Sequence, residues 1–207
     1  MEKIKNFFIE VARAIVRFIV LTYCKIVYRV KIIGKENVPK DGALILCGNH
    51  RTYLDPPLII VTAGRYVRFI GKEELKKNPL FAILGALFGI IFIKRDAKDI
   101  TSMKEAIKTL KNRDAIGIFP EGTRNGFEKN DGKVKNGAAY MALKTGARVL
   151  PIAVVGPSKP FTKNAIIYGT PIDFSEYAKD KKIEKEDEDK VSEIIKQEIL
   201  KLCETKI

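Results

Sequence analysis

The chain carries one histidine, His50, in the run Asn49-His50-Arg51-Thr52-Tyr53-Leu54-Asp55. A neutral imidazole is the side chain best matched to general-base work near neutral pH. A carboxylate beside it fixes its tautomer and stabilises the imidazolium that forms. Asp55, five residues on, is the candidate partner. On a regular helix five residues turn through about 500°, which leaves the two side chains on different faces. The pair therefore needs a turn between them, and Pro56 favours one by disfavouring the α region at Asp55. The alternative is a loop histidine and a helix-capping Asp55 that do not touch.

A second run, Phe119-Pro120-Glu121-Gly122-Thr123-Arg124, has the composition of an anion site. The guanidinium of Arg124 is a planar fork that matches phosphate geometry. Gly122 permits close backbone approach to a ligand. Glu121 either orients Arg124 or accepts from a substrate hydroxyl; the competing reading is a capped loop with an ion pair. Lys94 and Arg95 follow an apolar run and sit where a strand exit meets an anion or plain solvent. Cys47 lies three residues before His50, a spacing open to an acyl-enzyme nucleophile. Its place within an apolar run favours an ordinary buried thiol. The cysteines Cys24, Cys47 and Cys203 form no CxxC pair and no zinc pattern, so reduced thiols and no metal site are expected.

Strand and helix signals alternate around these runs. Tyr28 to Ile33, Ala43 to Cys47, Val67 to Ile70, Ile90 to Ile93, Ala115 to Phe119, Val149 to Val155 and Ala165 to Tyr168 read as strands. Pro56 to Thr62, Leu80 to Phe88 and Asn136 to Lys144 read as helices. So do the amphipathic stretches through Ile100–Leu110, with a capping box at Ser102 and Glu105, and Val191–Leu202. The alternation predicts an α/β domain with a mostly parallel central sheet flanked by helices. In such sheets ligands gather beyond the carboxyl ends of the strands. Both chemistry-bearing runs fall there.

The 207 residues suit one domain over 28–207, with residues 1–27 as a separate N-terminal element. Ile4, Phe7, Phe8, Val11, Ile15, Phe18 and Ile19 recur at helical spacing, with Lys3, Asn6, Glu10, Arg13 and Arg17 opposite. Such a helix lies in a lipid interface, apolar face down and basic face toward the headgroups, or packs on the protein's own core. A second apolar patch, Ile19 to Val30, predicts a second helix. The charges within the N-terminal run are unlike a secretory signal or a membrane span. Pro79 to Ile93 is uncharged and reads as a buried helix running into a buried strand, or as a greasy groove. The net charge of +13 calls for a polyanionic partner. No helix-turn-helix, zinc or RNA-binding signature is present, so no nucleic acid is expected. Gln197 is the only glutamine beside many Lys and Glu, a weak thermophilic sign.

Taken together the runs resemble the glycerolipid acyltransferase family over about residues 28 to 173. NHxxxxD is similar to Asn49–Asp55, and a glycine, apolar strand and basic end resemble Gly89–Arg95. FPEGTR stands in full at 119–124, and an apolar strand with proline is similar to Val149–Val154. Lys94 stands where the family often has an acidic residue, and Asn125 where serine is common. The resemblance implies His50 as base with Asp55 as its partner. It implies Arg95, Glu121 and Arg124 on a glycerol phosphate, Gly122 and Thr123 shaping that loop, and Lys135 beside it. The implied reaction moves a fatty acyl group from a thioester, on acyl-carrier protein or CoA, to the sn-2 hydroxyl of lysophosphatidic acid. The product is phosphatidic acid. Other lysolipids or glycerol 3-phosphate are the alternative acceptors, and a non-catalytic membrane or nucleic-acid binder is the rival class. The resemblance further implies a two-helix N-terminal element that dips into one leaflet at the cytoplasmic face, and no cofactor beyond the acyl donor.

Overall fold

Short apolar runs between turn signals become strands, and the longer periodic runs become helices. The computed structural model describes residues 2–94, 100–125, 127, 134–178 and 183–207. In chain order the regular elements are α1 (Glu2–Ile26), β1 (Val30–Ile33), β2 (Leu44–Gly48), α2 (Asp55–Thr62), β3 (Val67–Lys72), α3 (Pro79–Phe88) and β4 (Ile91–Ile93). They continue with α4 (Ile100–Lys111), β5 (Ala115–Ile118), α5 (Gly137–Thr145), β6 (Arg148–Val155), β7 (Asn164–Tyr168) and α6 (Lys185–Cys203).

The strands form one sheet in the order β1-β7-β6-β2-β5-β3-β4. Five of its six pairings are parallel, and only β6 with β7 is antiparallel. The expectation of a mostly parallel sheet therefore holds. The exception lies where residues 156–163 join two strands without a crossover helix, so the chain can only return antiparallel.

Alternation along each strand feeds two cores. Leu44 and Leu46 of β2 join Leu58, Ile59, Phe69, Leu150 and Ile152 on the face covered by α1, α2 and α3. Ile45 and Cys47 point the other way, into a layer with Leu110, Met141, Ile195 and Ile199 from α4, α5 and α6. The result is a helix–sheet–helix sandwich. On its first face Tyr168 is buried beneath α2. Its hydroxyl lies 2.6 Å from Thr62 Oγ1, and burial pushes its pKa up.

The N-terminal element differs from expectation. It is one continuous helix of 25 residues, not two. No glycine or proline interrupts Glu2–Ile26, so nothing breaks the hydrogen-bond ladder between the two apolar patches. Val16, Val20 and Cys24, spaced every four residues, pack on the core. Burial lifts the Cys24 thiol to about 11. Arg13 also turns inward. Its Nε donates to the Leu87 carbonyl at 2.7 Å, and its guanidinium lies 4.6 Å from the centre of the Tyr66 ring. Ile4, Phe7, Phe8, Ile15, Phe18 and Ile19 face outward, each more than half exposed.

Two further expectations are corrected. α3 is not a buried helix: Leu80 and Ile83 are exposed, because α3 covers the β4 edge of the sheet rather than its centre. Gly85 lets it sit close, since a Cβ there would come within 2.6 Å of Phe92. Ser102 lies inside α4 rather than at its cap, and its hydroxyl donates to the Phe92 carbonyl at 2.7 Å. Among the described residues no helix is long and apolar enough to cross a membrane.

Candidate active site

β2 and β5 are adjacent and parallel, with Cys47 opposite Ile118. Their carboxyl ends therefore release the two chemistry-bearing loops side by side. Asn49 secures the first loop. Its side-chain amide donates to the Val154 carbonyl at 3.0 Å, and its side-chain oxygen accepts from the Val154 N–H at 2.7 Å, tying the exit of β2 to β6.

The turn that a His50–Asp55 pair requires is built by Asp55 itself. Asp55 Oδ2 accepts from the Arg51 N–H at 2.6 Å and the Thr52 N–H at 2.7 Å, while Oδ1 accepts from the Thr52 hydroxyl at 2.9 Å. The same Oδ2 lies 3.0 Å from His50 Nδ1. Asp55 is 1% exposed. It is the first residue of α2, not a cap ahead of it, and the chain bends upstream at Thr52–Leu54. A carboxylate at Nδ1 selects the tautomer protonated there and leaves the lone pair on Nε2. Phe119 stacks on the imidazole with centroids 4.2 Å apart and planes 11° from parallel, and Phe69 supports Phe119 from 5.4 Å.

The second loop is bonded to the first. Glu121 is 3% exposed. Its Oε1 accepts from the His50 N–H at 2.6 Å and its Oε2 from the Phe127 N–H at 3.0 Å. In return the Asn125 N–H donates to the His50 carbonyl at 2.6 Å. Glu121 thus clamps the histidine's backbone, a task its sequence position alone did not reveal. Gly122 turns with φ near 64°, and a Cβ there would come within 2.7 Å of Lys135 Cε. The aliphatic chain of Lys135 therefore lies along Gly122, and its N–H donates to the Pro120 carbonyl at 2.9 Å. Thr123 is half-buried beside it, and Arg124 is exposed with its guanidinium 3.9 Å from the centre of the Tyr53 ring. The structure thus brings His50, Asp55, Glu121, Gly122, Thr123, Arg124 and Lys135 into two interlocked loops. Arg95 lies outside the described residues. Lys94, at the exit of β4, lies 3.8 Å from Glu73.

Cys47 is fully buried on the opposite face of the sheet, and desolvation pushes its thiol pKa up. A thiolate nucleophile requires the reverse shift. No group of three or more His, Cys, Asp or Glu side chains suited to a metal occurs among the described residues. Sequence reasoning passed over Asn49, Phe119, Tyr53 and the bridging bonds of Glu121. Each depends on a contact between segments far apart in the chain.

The sequence profile of a family described as Acyltransferase matches residues 29–155. The chain belongs to the acyltransferase family. The matched span holds the His50–Asp55 turn and the Phe119–Arg124 loop, the two parts of the site. Among its relatives is a 1-acyl-sn-glycerol-3-phosphate acyltransferase of Borreliella burgdorferi, 36% identical over 141 residues that cover 67% of this chain and 56% of that protein. A Bacillus subtilis protein of the same name is 30% identical over 155 residues, covering 72% of this chain and 76% of its own length. The chloroplastic enzyme LPAT1 of Arabidopsis thaliana is 30% identical over 135 residues, which cover 64% of this chain and 37% of the plant protein. The chain thus spans little more than half of the Borreliella relative and less of the plant one. The crystal structure of the 1-acyl-sn-glycerophosphate (LPA) acyltransferase PlsC from Thermotoga maritima superimposes with a TM-score of 0.61 at 25% identity, covering all of both chains. The fold thus agrees with the family assignment.

Proposed function

We propose that the chain transfers a fatty acyl group from a thioester to the sn-2 hydroxyl of lysophosphatidic acid, at the surface of a membrane. The observation that carries this reading is the His50–Asp55 pair held against an Arg124- and Lys135-bearing loop. The names of the relatives support the same acceptor.

In this mechanism His50 Nε2 takes the proton of the acceptor hydroxyl, and Asp55 stabilises the imidazolium. The freed oxygen attacks the thioester carbonyl and forms a tetrahedral oxyanion. Its collapse breaks the carbon–sulfur bond, and the imidazolium returns its proton to the departing thiolate. One ester is made, one thioester is lost, and no acyl-enzyme forms. Arg124 and Lys135, with Arg95, hold the acceptor's phosphate and so orient its hydroxyl, which converts binding into rate. The acyl donor is acyl-carrier protein or acyl-CoA, and no other cofactor takes part.

The membrane is the partner of α1. A soluble helix turns its apolar stripe inward, but here the large apolar side chains of α1 point away from the sheet. We place the protein peripherally at the cytoplasmic face, with this face at the lipid interface.

The deciding experiment measures thiol release from acyl-CoA or acyl-carrier protein in detergent, with lysophosphatidate, for the wild type and His50→Ala. Release that needs both substrates and disappears in the variant supports the proposal. Release unchanged in a folded His50→Ala protein overturns the mechanism. Greater turnover with lysophosphatidylcholine or glycerol 3-phosphate than with lysophosphatidate reassigns the acceptor.

A further inference from the structure

Tyr53 occupies one of the unspecified positions of the NHxxxxD run, and nothing in the reaction above uses it. Its location is nevertheless tightly determined. Asp55 draws the Arg51 and Thr52 N–H groups onto one carboxylate oxygen, and Thr52 Oγ1 accepts from the Leu54 N–H at 3.1 Å. Those bonds fold residues 51–55 into a tight turn whose tip is Tyr53. The ring stands out from the surface, 58% exposed. Phe81 of α3 lies beside it with centroids 6.5 Å apart. The guanidinium of Arg124 lies over its face at 3.9 Å.

Arg124 needs such a seat. Its side chain is exposed, and an arginine free in solvent has many rotamers to lose on binding a ligand. Its backbone is already fixed, because the Gly122 N–H donates to the Phe119 carbonyl at 3.0 Å and the Asn125 N–H to that of His50 at 2.6 Å. What remains mobile is the guanidinium. An aromatic face holds a guanidinium by cation–π attraction while leaving its edge N–H groups available to an anion.

The geometry points to Tyr53 as the positioning residue that pre-orients Arg124 for the acceptor's phosphate. One carboxylate, Asp55, therefore orders both halves of the site: through Nδ1 it orients His50, and through the turn it presents the seat of Arg124. Phe81 extends the seat to α3, so the phosphate site adjoins the exposed apolar side chains Leu80 and Ile83. This inference rests on the proposed role of Arg124 in binding phosphate. Tyr53 touches Arg124, not the reacting atoms, so its effect falls on acceptor binding rather than on chemistry.

The test compares kcat and KM for lysophosphatidate, at saturating acyl donor, in the wild type, Tyr53→Phe, Tyr53→Leu, Tyr53→Ala, Arg124→Ala and the Tyr53→Ala/Arg124→Ala double variant. An exposed cation–π contact corresponds to about a two- to five-fold change in affinity. Tyr53→Ala and Tyr53→Leu should raise KM by about that factor with kcat within about two-fold. Tyr53→Phe should match the wild type, since it keeps the aromatic face. In the Arg124→Ala background the Tyr53 substitution should change nothing further. Rescue by leucine as good as by phenylalanine, or the same KM increment in the Arg124→Ala background, overturns the inference and leaves the phosphate role of Arg124 standing. An Arg124→Ala enzyme with unchanged KM overturns the phosphate role itself, and this inference with it.

Discussion

Replacing Asp55 by asparagine separates its two tasks. The carboxylate accepts three hydrogen bonds from the turn, from the Arg51 N–H, the Thr52 N–H and the Thr52 hydroxyl, and a fourth interaction joins it to His50 Nδ1. An asparagine whose amide oxygen takes the place of Oδ2 still accepts from both N–H groups and from Nδ1–H. Its NH2 then faces the Thr52 hydroxyl, which can accept. The turn survives and the tautomer is kept; what is lost is the charge. Charge-assisted hydrogen bonds are worth about 1.5–3 kcal/mol against about 1 kcal/mol for neutral ones. About 0.5–2 kcal/mol of imidazolium stabilisation then disappears, a fall in kcat of about 2- to 30-fold. Asp55→Ala removes every acceptor and leaves two backbone N–H groups without their partner beside a buried site. At about 1–3 kcal/mol per unsatisfied buried donor, it should cost about 2–6 kcal/mol of stability and abolish turnover. Steady-state kinetics with thiol detection and urea unfolding of the three proteins read both effects. Wild-type kcat in Asp55→Asn would refute the electrostatic role, and wild-type stability in Asp55→Ala would refute the claim that Asp55 builds the turn.

Other substitutions test the remaining parts. Cys47→Ala should keep wild-type turnover, because the thiol is buried and its pKa is raised; loss of activity in the folded variant would revive the acyl-enzyme route. Gly122→Ala should raise KM for lysophosphatidate with little change in kcat. Its φ near 64° strains any Cβ by about 1 kcal/mol, and that Cβ displaces Lys135; an unchanged KM would separate Lys135 from the acceptor. Phe7→Glu with Phe18→Glu should abolish co-sedimentation with anionic liposomes while leaving the melting temperature within a few degrees, since both side chains are more than 60% exposed. Retained binding would exclude this face of α1 as the lipid contact.

Much of the site was legible because its chemistry depends on residue type. A lone histidine at a strand exit and an arginine in a glycine-bearing loop identify themselves. How they are held did not follow. The resemblance implied that Glu121 helps hold a glycerol phosphate; in the structure its two oxygens also accept from the backbone N–H groups of His50 and Phe127. Such a clamp joins residues 71 positions apart, and nothing in local spacing announces it. Strand periodicity was plain, and so was the mostly parallel sheet, because strands buried along nearly their whole length, such as β6 after Arg148, are near-continuous apolar runs. The antiparallel return of β7 was not, since apolar runs carry no sign of direction. α3 differs from its sequence pattern for a related reason: a run without charges looks buried, but at the edge of a sheet only one of its faces finds cover.

The orientation of α1 follows a different logic. Amphipathic spacing establishes that a helix has two unlike faces; it does not say which one meets the protein. Here the inner face is narrow and mixed. Val16, Val20 and Cys24 fill the groove against the core, and Arg13 reaches the Leu87 carbonyl and the Tyr66 ring. Arg13 finds an acceptor and an aromatic face on the body of the protein, so its own charge can be turned inward, whereas the Nε of Arg17 is buried without a hydrogen-bond partner among the described residues. The wide stripe of phenylalanine and isoleucine is thereby left outside. Turned the other way, the helix would bury that stripe and lose both contacts of Arg13. The contacts of Arg13 thus hold α1 beside α3, the helix whose Phe81 flanks the Tyr53 seat of Arg124.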